Sequence, residues 1–298
     1  MQFGYACMQC ILKRYSRIAQ KHADADRGIS YVKEILGVMA NAPEGVAVPF
    51  LTPAFTKLTE KYYGADGADY EKAKKASNEI MLCLLPELEQ QVRDADDPLR
   101  MSMALAQIAN YIDFTALYGK VDFDRLRELF HRTDEYLPNE EEYRRFCADL
   151  FDARELVYIC DNAGEIVADR LAAEQITEYF PQLSVTFAVR GQSAVNDALR
   201  EDAVTAGLDR FGKIVDNGSG ISGTQFGYLS EQMEKALSDA DVILAKGQGN
   251  FETMLGCGYN VYYSFLCKCE RFTEFFGVKP LTGMFVNERR LEGMDAPV

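Results

Sequence analysis

The residues with the clearest chemical potential sit where short apolar runs stop, in the second half of the chain. Leu156-Val-Tyr-Ile-Cys160 ends at Asp161-Asn162, and a helix-like pattern begins at once through Glu165, Ile166 and Val167. A carboxylate beside a carboxamide offers hard oxygen donors suited to Mg²⁺, Mn²⁺ or a similar cation. Glu165 falls in the first turn of the following helix, where its charge complements the helix dipole. Alone, Asp161-Asn162 also reads as a helix cap. Three later runs end in polar clusters too, and that favours a shared site.

The second run ends at Arg190-Gly191 and leads to Asn196-Asp197. One strand–helix unit separates Asp197 from Asp161, so both can face one crevice, and Arg190 can hold a phosphate or pair with these carboxylates. The third run ends at Asp216-Asn217 and is followed by Gly218-Ser219-Gly220-Ile221-Ser222-Gly223-Thr224. Its glycine spacing matches the dinucleotide fingerprint formally. That fingerprint expects an acidic ribose ligand at the end of the next run, which instead ends in Lys246. A loop whose free N–H groups and following helix N-terminus accept a phosphate is the more general reading. The fourth run ends Lys246-Gly247-Gln248-Gly249-Asn250-Phe251-Glu252-Thr253. A lysine point charge, glycines that admit close backbone approach and two amides make an anion clamp.

Strand-like runs cover 156–160, 184–190, 213–216, 241–246 and 259–265, with 284–286 as a short last candidate. Helical patterns at 165–180, 196–206 and 225–238 alternate with the first four. Such alternation predicts an α/β fold, a mostly parallel sheet covered by helices on both faces in an α/β/α arrangement. Ligands then bind beyond the carboxyl ends of the strands. The first half reads as helices: Cys7 to about His22, then 27–39, then starts at Thr52-Pro53 and Asp97-Pro98, each an N-cap with proline at the first helical position. A helical stretch from 69 to about 92 meets a kink or break at Pro86. The pattern opened at Asp97 continues to Tyr118-Gly119, and another runs from 122 to 136. The acidic stretch Leu137-Pro-Asn-Glu-Glu-Glu142 marks the approach to a second region. Two regions follow, helical over 1–150 and an α/β/α catalytic domain over 151–298.

With 32 basic and 46 acidic residues the chain carries a formal charge of −14, which argues against sequence-independent nucleic-acid binding. The same field repels a phosphorylated substrate unless a bound cation or a cluster of N–H groups compensates locally. No apolar run reaches bilayer length and no signal-peptide pattern opens the chain, so a cytoplasmic protein without membrane contact is expected. The only histidines, His22 and His131, both lie in the helical half, which makes a histidine-rich zinc site or a Ser-His-Asp triad improbable. The eight cysteines do not read as a secreted disulfide framework. Cys7 and Cys10 share a helix face at metal-ligand or redox spacing, and Cys267 and Cys269 offer two more thiols. Reduced thiols that fill space as small apolar groups are the plainer reading.

Taken together, Asp161-Asn-Ala-Gly-Glu165, Arg190-Gly191 with Asn196-Asp197, the 218–224 loop and Ala245-Lys-Gly-Gln-Gly-Asn-Phe-Glu-Thr253 resemble the damage-control phosphatase family, long known as domain of unknown function 89. Cys7-Met-Gln-Cys10 resembles the leading CxxC of its prokaryotic subgroup, and Asn110-Tyr-Ile-Asp113 is similar to a further element of that subgroup. The resemblance spans most of the chain. It implies a metal-dependent phosphatase with a helical region packed on an α/β/α core. It places the metal on Asp161, Asn162 and Asp197 and the substrate phosphate near Lys246. It also implies small phosphorylated metabolites as substrates: sugar phosphates, damaged nucleotides or cofactor intermediates. Leu199 departs from the small hydroxyl residue expected after Asn-Asp-Ala, while the proposed ligands are intact.

Hydrolysis of a phosphomonoester by one divalent ion (Mn²⁺, Mg²⁺, Co²⁺ or Ni²⁺) is therefore expected, the ion polarising a phosphoryl oxygen and generating the nucleophile from water. Lys246, Arg190 and the Gly218–Gly223 amides, those of Gly218, Ser219 and Gly220 foremost, stabilise charge on the phosphoryl oxygens, with Gly247, Asn250 and Glu252 as further contacts. Glu165, Asp197 or Glu252 is the general base. Phospho-aspartate chemistry at Asp161 lacks its usual Asp-x-Asp partner, since Ala163 fills the second place. Two other classes compete: a non-catalytic nucleotide or dinucleotide binder built on the Gly218 loop, and a carboxyl methyltransferase, which the wider resemblance also suggests.

Overall fold

Successive side chains of the central runs belong to opposite hydrophobic clusters. Leu156, Tyr158 and Cys160 join one cluster, and Val157 and Ile159 the other. Val242 and Leu244 likewise face away from Ile243 and Ala245, and Tyr262 and Leu266 away from Val261, Tyr263 and Phe265. A strand that is apolar on both faces has to lie inside a sheet covered on both sides.

The structure, a computed structural model, describes residues 1–64, 70–113 and 121–291. Its sheet has six strands: β1 (Glu155–Ile159), β2 (Ser184–Val189), β3 (Lys213–Asp216), β4 (Val242–Lys246), β5 (Val261–Cys267) and β6 (Thr282–Asn287), in the order β3-β2-β1-β4-β5-β6. The first five are parallel, and β6 closes one edge antiparallel to β5. The chain winds outward one way through β2 and β3 and the other way through β5 and β6. The carboxyl ends of β1 and β4 therefore adjoin at the point of reversal, where open α/β sheets leave a crevice.

The helices begin with α1 (Tyr5–Gln20), α2 (Ala25–Ala40) and α3 (Val48–Tyr63), which pack around Tyr15, Tyr31, Ile35 and Phe55. Next come α4 (Glu71–Asp94), α5 (Pro98–Ala109), α6 (Phe123–Phe130) and α7 (Glu140–Asp152). In the second half α8 (Glu165–Tyr179), α9 (Arg200–Ala206), α10 (Glu231–Asp239), α11 (Gln248–Met254) and α12 (Glu270–Phe276) follow the strands. Both α4 and α5 pack on α8, and α3 reaches α11 beside the strand ends. Among the described residues no helix is long and apolar enough to cross a membrane.

Several boundaries differ from the sequence expectation for identifiable reasons. Pro86 does not break α4. Leu84, Leu85 and Leu88 beside it are buried, and at roughly 1.5–3 kcal/mol each their burial outweighs one lost helical bond. The acidic stretch after Leu137, expected to mark the approach to a second region, is the start of α7. Asn139 accepts from the Glu141 and Glu142 amides, and Tyr143, Phe146 and Leu150 bury one face. Instead of one helix over 122–136, α6 ends at Phe130, and Thr133 turns its hydroxyl back to Phe130 O at 2.7 Å. The helix from Pro98 ends at Ala109; the expected continuation over 114–119 lies outside the described residues. Helix α9 starts at Arg200, not Asn196, because residues 196–198 pair with the chain beyond β1. Helix α10 starts only at Glu231, where Ser230 caps it.

Candidate active site

Beyond β1 the chain does more than cap α8. Ala163 N–H donates to Asn196 O at 2.9 Å and Ala198 N–H to Asp161 O at 2.7 Å, and Asn162 bridges Asp197 antiparallel. This short pairing brings Asp161 and Asp197 to one guanidinium, that of Arg190. Val195, just before the pairing, has φ 53°, a left-handed conformation that costs a β-branched residue about 1–3 kcal/mol. From the other side, Asn78 of α4 accepts the Gly164 N–H at 2.6 Å and fixes the turn into α8. Gly247 has φ +80°, and a Cβ there would fall on the Asp161 carboxylate. Only glycine lets the end of β4 come so close.

The electrostatics are out of balance. Glu165 and Asp169 lie 2.7 and 2.6 Å from the Lys246 ammonium, and Asp161 and Asp197 lie 3.7 and 2.6 Å from Arg190. Four buried carboxylates thus share two cations. Burial pushes the Asp161 carboxyl well above its usual range, and Glu165 and Asp197 push it further, against the pull of Arg190 and Lys268. Burial also raises Asp197 despite Arg190, and raises Asp169 to about 6 despite Lys246. Neutral amides relieve part of the repulsion. Asn110 and Asn162 each donate Nδ2 to both Asp161 and Glu165, at 2.7–3.1 Å. Asn162 Oδ1 accepts from Asn196, so the carboxamide turns its nitrogen toward the acids. Among the described residues no group of three or more His, Cys, Asp or Glu side chains is arranged to hold a metal ion.

Three expected phosphate contacts are engaged elsewhere. Lys246 is 1% exposed and donates to Glu165, Asp169 and Ala106 O, which uses all three ammonium protons. It lies beneath the carboxylates and does not line the cavity above them. Asn250 donates to Lys246 O and accepts from Arg190 and Thr224. The Gly218–Gly220 loop also works internally: Gly218 N–H donates to Asp216, Ser219 N–H to Asn217, and Ser219 O accepts from Gly191 and Gln192. No helix begins directly after it, and the Gly218 and Ser219 amides are turned inward, so the anion-nest reading loses its helix N-terminus and two of its donors. The nucleotide-binding alternative loses its support with that loop.

A cavity of about 200 Å³ opens above the acids, and Asp161, Asn162, Asp197 and Glu252 line it. Glu165, Arg190, Gly218, Ser219, Gly220, Gly247 and Asn250 do not. Burial pushes Glu252 up to about 7, against the chain's N-terminal ammonium and Arg271. Residues not singled out from the sequence complete the site. Ser222 and Gln248 line the cavity, and their Oγ and Nε2, like Arg190 Nη1, are buried without partners among the described residues. Lys268, just past β5, donates to Asp113 at 2.8 Å and to Asn110 O at 2.6 Å. Gln248, Asp113 and Ser222 lie inside motifs visible in the sequence; nothing local marks Lys268. The opposite wall comes from α1, α3 and α12, with Tyr15, Phe55 and Phe272 beside Arg14 and Arg271.

A family model described as the damage-control phosphatase ARMT1-like domain matches residues 4–281. The chain is 30% identical over 257 residues to damage-control phosphatase PH1575 of Pyrococcus horikoshii, covering 85% of this chain and 86% of that protein. It is 28% identical over 284 residues to a damage-control phosphatase of Archaeoglobus fulgidus, covering 93% and 96%. The crystal structure of a DUF89 family protein from Pyrococcus horikoshii superposes with a TM-score of 0.81 at 25% identity, over 97% of this chain and 99% of that one. With fold, strand-end cluster and a match through nearly its whole length in agreement, the chain belongs to the damage-control phosphatase ARMT1-like family.

Proposed function

We propose that the protein is a metal-dependent phosphatase acting on small phosphorylated metabolites. The observation that carries this reading is the shortfall of two positive charges among Asp161, Glu165, Asp169 and Asp197. A buried set of that kind either takes up protons or holds a cation. Oxygen donors with a deficit of two charges fit one divalent ion of the Mg²⁺, Mn²⁺, Co²⁺ or Ni²⁺ kind. Asp161 and Asp197 would hold it through their carboxylates, and Asn162 through its carboxamide oxygen once that amide turns over. Such an ion supplies Lewis-acid polarisation of a phosphoryl oxygen and acidifies water.

The chain's own groups supply the rest. Among the described residues, Ser222 Oγ and Gln248 Nε2 have no partner although buried, and both residues line the cavity. Each costs about 1–3 kcal/mol while unsatisfied, a cost that a phosphate at the cavity floor relieves. Asp197 and Glu252 are the two base candidates that face the cavity, and Glu252, near 7, is matched to proton exchange at neutral pH. Tyr15, Phe55 and Phe272 shelter the body of the substrate. A volume of about 200 Å³ lies below the roughly 300–1,000 Å³ of pockets for drug-sized ligands, which favours a small metabolite. The name damage-control phosphatase, carried by the Archaeoglobus and Pyrococcus relatives, supports the same activity.

The test is phosphate release from a panel of small phosphomonoesters by chelator-stripped protein, with Mg²⁺, Mn²⁺, Co²⁺ and Ni²⁺ returned one at a time. Turnover that depends on the returned metal is expected. Full activity in the stripped protein, or no release from any ester with any metal, would overturn the reading.

A further inference from the structure

We propose that Cys7 and Cys10 form a thiol–disulfide modification site on the cavity wall, oxidised by low-molecular-weight disulfides. The consequence for turnover rests on the phosphatase reading; the disulfide itself does not.

Both residues lie in the first two turns of α1, both are free, and both line the cavity that Asp161 and Asp197 share. Three residues apart on a helix of 1.5 Å rise and 2.3 Å radius, their Cα atoms are about 5 Å apart. Disulfides span roughly 4.4–6.8 Å between Cα atoms. Arg271 Nη1 donates to Cys7 Sγ at 3.3 Å. The guanidinium thus sits against the sulfur, where negative charge gathers during thiol–disulfide exchange. The neighbouring thiols are poorer nucleophiles. Burial pushes Cys269 up to about 11, with Glu252 adding to the shift, and pushes Cys267 up to about 12. A soft-metal site fits less well, because no group of three or more such ligands is arranged for an ion among the described residues.

The chemistry closes without a further reactant. The Cys7 thiolate attacks one sulfur of R–S–S–R, forms a mixed disulfide and releases RS⁻. Cys10 gives up its proton and attacks the Cys7 sulfur, forming the Cys7–Cys10 bond and releasing a second RS⁻. The two cysteine protons end on the two RS⁻ groups, so two thiols are oxidised and one small disulfide is reduced. A disulfide wants its Cβ atoms about 3.5–4.5 Å apart, whereas helical neighbours stand at roughly 5–6 Å. Closing it therefore distorts the start of α1. Ile11, Arg14 and Tyr15, which line the cavity, stand on the next turns, and their displacement lowers turnover until the bond is reduced.

The test incubates the full chain with oxidised glutathione and then with dithiothreitol. Disulfides are mapped by peptide mass spectrometry, and phosphate release is measured on the same samples. A Cys7–Cys10 disulfide is expected, with a several-fold fall in kcat/KM that dithiothreitol reverses. The ratio of oxidised to reduced turnover should return to one in Cys7→Ser and stay low in Cys83→Ser, which alters an exposed thiol on α4, whereas Cys10→Ser should stop at a Cys7–glutathione mixed disulfide. Arg271→Gln should slow the oxidation several-fold. A disulfide elsewhere, a Cys7→Ser protein as sensitive as wild type, or a mapped Cys7–Cys10 bond with full turnover overturns the proposal. A reduced protein that hydrolyses no phosphoester defeats the phosphatase reading, while the mapped disulfide still decides the thiol site.

Discussion

The two sides of the cavity are built on opposite principles. The floor comes from the ends of β1, β2 and β4, and its charged and amide groups are locked together: Lys246 on Glu165 and Asp169, Arg190 on Asp197, Asn110 and Asn162 on Asp161. The wall comes from α1, α3 and α12 and is chiefly ring faces and aliphatic surface, with two arginines and three thiols. Charge inside a protein has to be positioned and compensated, whereas an apolar wall has to match only in shape. Substitutions on the floor should therefore strike turnover or folding outright, and substitutions on the wall should act more gently.

The largest effect is expected at Asp161. Asp161→Asn keeps the shape and removes one of the excess charges. kcat/KM should fall by about 10³-fold or more, corresponding to ~4 kcal/mol of transition-state stabilisation. The metal-free variant should melt no lower than metal-free wild type, because Glu165 and Asp197 lose a repelling neighbour. Any rise in melting temperature on adding metal should largely vanish. Gly247→Ala should abolish turnover by steric means, its methyl landing on the Asp161 carboxylate. A variant of Asp161 that melts well below wild type without metal and still responds to metal would make this residue a cap, not a ligand.

Next in size is Lys246→Met. The ammonium holds Glu165 and Asp169, so its loss leaves two buried carboxylates without their cation. Breaking a buried pair costs about 3–5 kcal/mol, to be read as a lower urea midpoint. If the midpoint is unchanged and only turnover falls, Lys246 contacts substrate and not the floor.

These two residues also mark how far the sequence carries. Strands buried on both faces leave continuous apolar runs, and β1, β2, β4 and β5 are readable for that reason. Asp161 and Asp197 follow adjacent parallel strands, so their approach is a backbone matter and can be anticipated. The orientation of Lys246 cannot, because it depends on Asp169, a carboxylate turned inward on a helix that is buried nearly all round. Helix α7 escapes notice because three glutamates in a first turn also read as a polar approach to a new region. The Gly218 loop misleads for a related reason: glycine spacing shows where a chain turns tightly, not whether its amides remain free. Ser222 and Gln248 gain meaning only once the fold leaves their polar atoms buried and unpaired.

A smaller effect, spread over pH, is expected at Glu252. Its folded pKa of about 7 lies above the ordinary 4.5. Stability from its protonated form is therefore complete below about 4.5 and is lost as pH rises through 7. Metal-free wild type should melt progressively lower across that window, with Asp161, Asp197 and Asp169 adding in the same direction. Glu252→Gln should flatten part of the decline and leave the rest. An unchanged slope would mean that the Glu252 carboxyl is already ionised in the folded protein at acid pH.

The smallest effect separates two glycines of nearly equal conformation. Gly218 has φ +79° and Gly247 φ +80°, and both follow a strand. Either pays about 1–2 kcal/mol for a Cβ in that left-handed region. At Gly218 the added atom meets Ser230 at 3.0 Å, against the cap of α10 and away from the cavity. Gly218→Ala should therefore lower the melting temperature by a few degrees, as that cost implies for a chain of this size, and leave kcat/KM within about twofold of wild type. The contrast with Gly247→Ala isolates position from strain, because the backbone penalty is shared and only the neighbour differs. A large loss of turnover in a folded Gly218→Ala protein would return the loop to the phosphate site and show that its internal hydrogen bonds give way when substrate binds.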